Sequence, residues 1–212
     1  MDKSFDPHCT RCERLTAFLS EVRRQHPDYH CAPVAPFGDP QARVSIVGLA
    51  PGKHGANASG RPFTGDFAGI LLYRTLHHFG FASRPESVAA DDGLVLHDCR
   101  ITNAVKCLPP GNKPLNSELI NCNGYLKTEL EQSRPDLVIL ALGALAHRAL
   151  LRALELKQSA FDFAHNGRHD LPAGRILIDS YHCSRYNTQT GRLTEAMFAS
   201  VFKQIRKIIG EH

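Results

Sequence analysis

An amide, an aromatic ring and a carboxylate lie within one glycine-rich stretch, at Asn57, Phe63 and Asp66. A carboxylate at the start of a helix stays ionised, which is the state that a general base or a cation stabiliser needs. Asn103 and His182 each follow a later apolar run, and they add a second amide and an imidazole that can donate to a developing anion. These five residues predict a binding pocket that is capable of acid-base or electrostatic chemistry.

Each of the chemical residues also has a structural explanation. Aspartate is among the best N-cap residues, so Asp66 could serve only to start a helix. Asn103 could cap a turn, and His182 could be a core histidine whose hydrogen bonds are satisfied. The residue types alone leave these alternatives open.

The chain contains seven cysteines, and four of them can be grouped by their spacing. Cys9 and Cys12 form a C-T-R-C pair, and Cys107 and Cys122 come later in the chain. Four such thiols can supply thiolates to one metal centre. Zinc and an iron-sulfur cluster both accept four thiolates, and buried cysteines can also be small core residues, so spacing alone leaves three interpretations.

A strand, a loop and a helix must position the first group of residues. A β-branched run over 44–47 breaks at Gly48, glycines recur through the following loop, and apolar periodicity resumes at Phe67. Glycine allows positive φ and lets a ligand approach the backbone. The pattern therefore predicts a ligand-binding loop between a strand and a helix that is capped by Asp66.

The rest of the chain alternates between the two periodicities. Helical spacing after Cys12 predicts a helix that ends near residue 26, and residues 83–93 are predicted to be a surface insertion. The later predicted elements are a strand or strand pair over 94–105, a helix over 117–132, a buried strand over 137–142, a helix over 144–156, a strand over 175–181, a loop over 185–192 and a C-terminal helix.

Alternating strands and helices predict an α/β fold with a central, mostly parallel β-sheet flanked by helices on both faces. Ligands of such sheets bind beyond the carboxyl ends of the strands. The loops after Val47, Asn103 and Tyr181 are expected at that edge. One pocket can therefore collect Asn57, Phe63, Asp66, Asn103 and His182.

The composition, with 42% hydrophobic residues, is that of a globular protein, and we expect a single domain over residues 1–212. The absence of a long apolar run predicts no membrane span and an intracellular, cytoplasmic protein. A net charge of +4 permits a polyanionic partner without identifying one. The glycine-rich stretch matches neither the P-loop spacing nor the dinucleotide-binding spacing.

Three motifs together resemble family 5 uracil-DNA glycosylases, the iron-sulfur type. The first motif is G-L-A-P-G-K-H-G-A-N followed by G-R-P-F-T-G-D. The second is N-A-V-K-C-L-P-P-G-N-K-P at 103–114, and the third is S-Y-H-C-S-R-Y-N-T-Q-T-G-R-L-T at 180–194. They occur in the order of the family and span most of the chain.

The resemblance implies a DNA glycosylase with a uracil-DNA glycosylase-like α/β/α fold that starts base excision repair. Uracil would flip out of the DNA, and water would cleave its glycosidic bond. Phe63 would stack on the base, Asn103 would check its identity, His182 would donate to its O2 atom, and Asp66 would orient the water or stabilise the sugar cation. The catalytic residues implied are Asp66, His182 and Asn103, and the base-binding residues implied are Gly48, Ala50, Asn57, Phe63, Asn103 and His182.

The resemblance also implies a cofactor and a partner. Cys9, Cys12, Cys107 and Cys122 match the ligands of a 4Fe-4S cluster, which would join the N-terminal helix to the rest of the domain. The partner would be DNA containing uracil or another deaminated base, and we expect a monomer. The DNA contacts implied are Arg61, Lys113, Arg185, Tyr186, Asn187 and Arg192, with Tyr186 as a wedge in the duplex.

The chain departs from the family pattern at two places. It has His-Cys-Ser where the superfamily often has His-Pro-Ser, and Ala58 stands where the family commonly has a cation.

Two other functions are compatible with the sequence. A non-catalytic iron-sulfur module could bind damaged or single-stranded DNA. A metal-dependent hydrolase could use His54, His182 and Asp66 as ligands. A pure binding module needs neither Asp66 nor His182 beside the base.

Overall fold

A six-stranded sheet runs through the computed structural model, which describes residues 5–210. The order of the strands is β1-β3-β2-β4-β6-β5. The four inner strands are parallel to one another, and the two edge strands are antiparallel to their neighbours. This confirms the prediction of a mostly parallel sheet. The strands are β1 Phe37–Gly38, β2 Val44–Gly48, β3 Cys99–Asn103, β4 Val138–Leu142, β5 Arg168–Asp170 and β6 Ile176–Ser180.

Helices cover both faces of the sheet. Successive side chains of a strand point to opposite faces, so a strand with apolar residues throughout packs against helices on both sides. On β4, Val138 and Leu140 pack into one core with α3 and α7, whereas Ile139 and Ala141 pack into the other core with α4 and α5. The α/β fold class is therefore confirmed. The helices are α1 Glu13–Gln25, α2 Ala56–Ser59, α3 Phe67–His78, α4 Asn116–Glu131, α5 Ala144–Ala153, α6 Arg185–Gln189 and α7 Glu195–Ile208.

Helix α1 packs at one end of the sheet, where its apolar side forms a third core. Leu15, Leu19 and Val22 are buried there against Val105 and Tyr125. This packing brings the N-terminal cysteines toward the chain that follows β3. The prediction of one domain over residues 1–212 stays a prediction, and its first four and last two residues lie outside the described range.

The register of the sheet places the predicted loops at one edge. Gly48 at the end of β2 pairs with Asn103 at the end of β3, and Leu142 pairs with Ser180 at the end of β6. The four parallel strands β3, β2, β4 and β6 therefore end side by side. Among the described residues, no helix is long and apolar enough to cross a membrane.

Two predicted segments take another form. Of residues 94–105, only Cys99–Asn103 is a strand, because Asp98 turns the chain with a φ of 51° and accepts a hydrogen bond from the Arg43 backbone N–H. Of the predicted loop 185–192, Arg185–Gln189 is a helix. Ser184 caps this helix by accepting from the Asn187 N–H, which is the pattern of an N-cap.

Candidate active site

A cavity of about 390 Å³ opens at the carboxyl ends of β2, β3 and β6. Open parallel sheets bind their ligands at this edge. The residues that line the cavity are Leu49, Ala50, Gly52, Ala56, Phe63, Asp66, Phe67, Ala68, Asn103, Asn112, His182, Ser184 and Arg185. Six of the predicted site residues are among them: the catalytic or base-binding residues Ala50, Phe63, Asp66, Asn103 and His182, and the predicted DNA contact Arg185.

Gly48 lets two of these side chains meet at the end of β2. A Cβ atom at this position would lie 2.5 Å from Asn103 Oδ1 and 2.7 Å from Phe63 Cζ. Gly48 is absent from the cavity lining, so its observed role is to make room for the amide and the ring. The Phe63 ring centroid lies 6.1 Å from that of His182.

Asn103 presents an unused acceptor in this cavity. Its side chain is buried, and Oδ1 has no hydrogen-bond donor among the described residues. A buried acceptor without a partner costs about 1–3 kcal/mol, so such an atom calls for a functional explanation. The atom is ready to accept from an N–H group of a ligand.

A buried ion pair holds the chain at Asn103. Lys106 Nζ donates to the Asn103 carbonyl oxygen at 2.8 Å and to Thr102 Oγ1 at 2.6 Å. The same ammonium pairs with Glu129 Oε1 on α4 at 2.5 Å. Because all these groups are buried, the end of β3 is fixed relative to α4. The sequence did not reveal Glu129, since one acidic residue in a helical pattern normally indicates a solvated face.

Asp66 caps α3 and also faces the cavity. Its Oδ1 accepts from the Gly69 N–H at 2.7 Å, which confirms the predicted N-cap. Gly55 permits the approach of the carboxylate, because a Cβ atom there would lie 2.7 Å from Asp66 Oδ2. Burial raises the pKa of Asp66 more than the backbone N–H groups of Gly69 and Ala68 lower it.

His182 follows β6 and lines the same cavity as Asp66. Although part of the ring faces the cavity, protein surrounds it, and this burial lowers the pKa of His182 to about 4. The ring is therefore neutral near pH 7 and can donate one N–H. Asn187 Nδ2 donates to the His182 carbonyl oxygen at 2.8 Å, so α6 supports the position of the histidine.

Two residues with predicted contacts are buried in this structure. Asn57 is fully buried on α2, where Nδ2 lies 3.5 Å from Cys31 Sγ, and the neighbouring Ala56 lines the cavity. Arg61 is also buried, and its guanidinium pairs with Asp92 at 2.7 Å and contacts the Phe37 ring. Arg61 thus anchors the 83–93 segment, and the predicted base contact of Asn57 and DNA contact of Arg61 stay predictions.

Helix α6 projects from the rim of the cavity. Tyr186 is 71% exposed, so its ring is not buried against the C-terminal helix α7. Arg185 lies over the Phe67 ring at 5.0 Å, and Arg192 lies over the Tyr181 ring at 4.8 Å. Lys113 is exposed near the Asn112 side of the cavity.

The four grouped cysteines line one small cavity between α1, the chain after β3, and α4. Asn121 Nδ2 donates to Cys12 Sγ at 3.6 Å, and the Lys106 N–H donates to Cys122 Sγ at 3.3 Å. Cys183 lies elsewhere, fully buried in the core of α3 and α7, and is not a candidate ligand.

The proposed ligands of a metal-dependent hydrolase do not form a metal site. His54 is exposed, and its Nδ1 faces the Tyr29 hydroxyl at 2.9 Å. Among the described residues, the group whose three ligand atoms lie within 4.8 Å of one another is His147, His169 and Asp179. That group lies outside the cavity lining, so the geometry does not support the hydrolase alternative.

Comparison with known proteins gives a consistent result over most of the chain. The profile of the Uracil DNA glycosylase superfamily matches residues 35–206. A Type-5 uracil-DNA glycosylase of Thermus thermophilus is 46% identical over 95% of this chain and 94% of its own length. One from Pyrobaculum aerophilum is 43% identical over 93% of this chain and 87% of its own length. The chain therefore belongs to the uracil-DNA glycosylase superfamily, within its type-5 family.

Proposed function

We propose that this protein excises uracil from DNA by hydrolysing the N-glycosidic bond, the first step of base excision repair. The observation that carries the proposal is the unpartnered Oδ1 of Asn103 inside a cavity that also holds Phe63, Asp66 and His182. Uracil presents an N3–H donor to that acceptor, whereas cytosine presents an acceptor at N3. Cytosine would therefore leave the atom unpaired.

The reaction follows from the three polar side chains. The bond between C1′ and N1 breaks, and its electron pair moves onto uracil, where His182 donates to O2 as negative charge develops. Water adds to C1′ and loses its proton to the Asp66 carboxylate, which also stabilises the positive charge on the sugar. A protein that only binds DNA needs neither group, so the non-catalytic alternative is not favoured.

The direct test is incubation of the protein with a uracil-containing oligonucleotide, followed by alkaline strand cleavage. We expect cleavage at the uracil and none in the matching cytosine oligonucleotide, because cytosine presents an acceptor at N3. Intact uracil strands, bound but not cleaved, would favour the non-catalytic alternative. Light scattering in the same buffer tests the expectation that the protein is a monomer.

Asn103 and Phe63 should have separable roles in base selection. Asn103→Ala should lower excision of uracil by roughly 5- to 150-fold and reduce discrimination, because the edge of the base loses a buried partner. Phe63→Ala should weaken binding of every flipped base alike, because stacking is indifferent to base identity. Rates on uracil and on other deaminated bases measure both effects. Equal, base-independent losses in the two variants would contradict this division.

We also propose that Cys9, Cys12, Cys107 and Cys122 hold a 4Fe-4S cluster. The four residues line one cavity, and two of their sulfurs accept N–H hydrogen bonds, which suits thiolate-bound iron. One zinc ion could use the same four thiolates, so the proposal is tested against zinc below. A bound cluster would supply a cross-link between α1, α4 and the chain after β3.

The purified protein should therefore be brown, with broad absorbance near 400 nm, roughly where thiolate-iron centres absorb. Cys9→Ser should lose this absorbance. Cys99→Ala, which changes a buried cysteine on β3 outside that cavity, should keep it. A colourless protein with stoichiometric zinc after anaerobic preparation would overturn the cluster assignment.

For α6 we propose that Tyr186 enters the duplex in place of the flipped base. Its exposure at the rim of the cavity supports this role, and Arg185, Arg192 and Lys113 can face phosphates nearby. Asn187 is already bonded to the His182 carbonyl, and its predicted DNA contact stays a prediction.

A wedge matters most where the duplex resists opening, because unstacking is least costly in single strands and mismatches. Tyr186→Ala should therefore lose little activity on single-stranded uracil, more on a U·G mismatch and most on a U·A pair. Single-turnover rates on the three substrates measure the trend. A uniform loss would assign Tyr186 to another role.

A further inference from the structure

A carboxylate and two imidazoles meet in the interior, away from the glycosylase cavity. Asp179 on β6 is fully buried, and its Oδ1 lies 2.8 Å from His147 Nδ1 on α5. Its Oδ2 lies 3.0 Å from His169 Nε2 on β5. All three ligand atoms fall within 4.8 Å of one another. None of these residues has a part in the proposed glycosylase reaction.

The charge of Asp179 is not balanced by a permanent cation. Among the described residues, its ion-pair partners within 4.0 Å are the two imidazoles. A buried carboxylate is costly unless a positive charge accompanies it.

The second ring nitrogen of His147, Nε2, also has a hydrogen-bond partner, which fixes the orientation of the ring. His147 Nε2 lies 3.0 Å from the Phe161 carbonyl oxygen, which can only accept a hydrogen bond. Nε2 must therefore carry a proton. A histidine that binds a metal through one nitrogen typically donates its other N–H to a backbone carbonyl or a carboxylate. His147 has this arrangement, with Nδ1 turned toward Asp179.

We propose that His147, His169 and Asp179 form a binding site for one divalent transition metal ion, with Zn²⁺ as the best fit. Nitrogen and oxygen ligands of tetrahedral zinc stand about 2.0–2.1 Å from the metal, and hence about 3.3 Å from one another. The two observed separations of 2.8 Å and 3.0 Å are close to that value, and all three ligand atoms lie within 4.8 Å of one another, so the side chains would adjust around the ion as it binds. Two imidazoles favour zinc over magnesium or calcium.

The surroundings suit a structural ion that keeps one water ligand. The rings of Phe163 and Phe161 contact His147 and His169 respectively, and they limit access to solvent. The side chain of His169 is 15% exposed, which leaves one path for the ion. The metal would join α5 to the hairpin of β5 and β6, and His182 follows directly on β6.

The test uses the full-length protein with its cysteine-bound group intact, treated with EDTA and then desalted. Adding Zn²⁺ should show one bound ion by calorimetry and raise Tm by several degrees, because the ion binds the folded state. Co²⁺ should give visible ligand-field bands without added sulfur-to-cobalt charge transfer.

His169→Gln, at an edge strand, should weaken Zn²⁺ binding by at least about tenfold. His78→Gln, an exposed histidine on α3, should not.

The alternative is a hydrogen-bonded triad with a protonated His147 and no metal. An unchanged Tm with Zn²⁺, or binding that is equal in wild type and His169→Gln, would overturn the metal site in favour of the triad. Co²⁺ bands dominated by sulfur-to-cobalt charge transfer would assign the ion to cysteines instead and would equally overturn it. The wild-type spectrum decides this point even if His169→Gln fails to fold.

Discussion

Asp66→Asn should lower the single-turnover rate of uracil excision by about 10²- to 10⁴-fold, the usual contribution of a positioned general base. The amide cannot accept the proton of the attacking water, and it offers no negative charge to the sugar cation. Asparagine remains a good N-cap, so α3 should stay intact and Tm should change little. A large loss of Tm in this variant would show that capping accounts for the effect.

The pH profile separates the chemical role of Asp66 from its structural role. Excision needs the carboxylate, so the wild-type rate should fall as the pH drops through the pKa of Asp66. Burial raises this pKa above the usual 3.8, which places the fall at a higher pH than for an exposed aspartate. Asp66→Asn should lose this dependence. A variant that retains the wild-type acid limb would contradict the assignment of Asp66 as the base.

His182→Ala should lower the excision rate by about 10²- to 10³-fold, the cost of removing one well-placed donor to a developing anion. Binding of uracil DNA should change far less, because the hydrogen bond strengthens only as charge builds on the departing base. His182→Gln keeps an N–H donor and should recover part of the rate. An equal loss in both variants, with unchanged Tm, would argue against donation to the base.

The lowered pKa of His182 also predicts a stability effect with a definite sign. Its folded pKa is about 4, below the unfolded value of 6.5, so folding favours the neutral ring. The contribution of His182 to stability is therefore complete above about pH 6.5, and it is lost as the pH falls toward 4. Thermal unfolding between these pH values should show the Tm of wild type falling relative to that of His182→Gln as the pH decreases, because glutamine does not titrate. Parallel curves would show that the ring does not titrate in this way.

The order of the four inner strands and the five long helices, the parallel core of the sheet and most of the cavity could be read from the sequence, whereas both edge strands and the short helices α2 and α6 could not. A buried run such as β4 has apolar residues throughout because both faces of the strand are covered. Gly48 and Asp66 mark the ends of elements through their own backbone preferences. Because parallel strands end at one edge, Asn103 and His182 could be placed together before any contact was known.

Only the tertiary structure decided which charged and polar residues are accessible. Arg61 looked like a phosphate ligand, but Asp92, 31 residues away in sequence, holds it in the interior. Lys106 is likewise held by Glu129, 23 residues away, and so fixes Asn103. Burial and ion pairing depend on which distant segments pack together, and a local pattern contains no information about that. The same reason hid the contact between Asp179 and His147, 32 residues apart, until the fold brought them together.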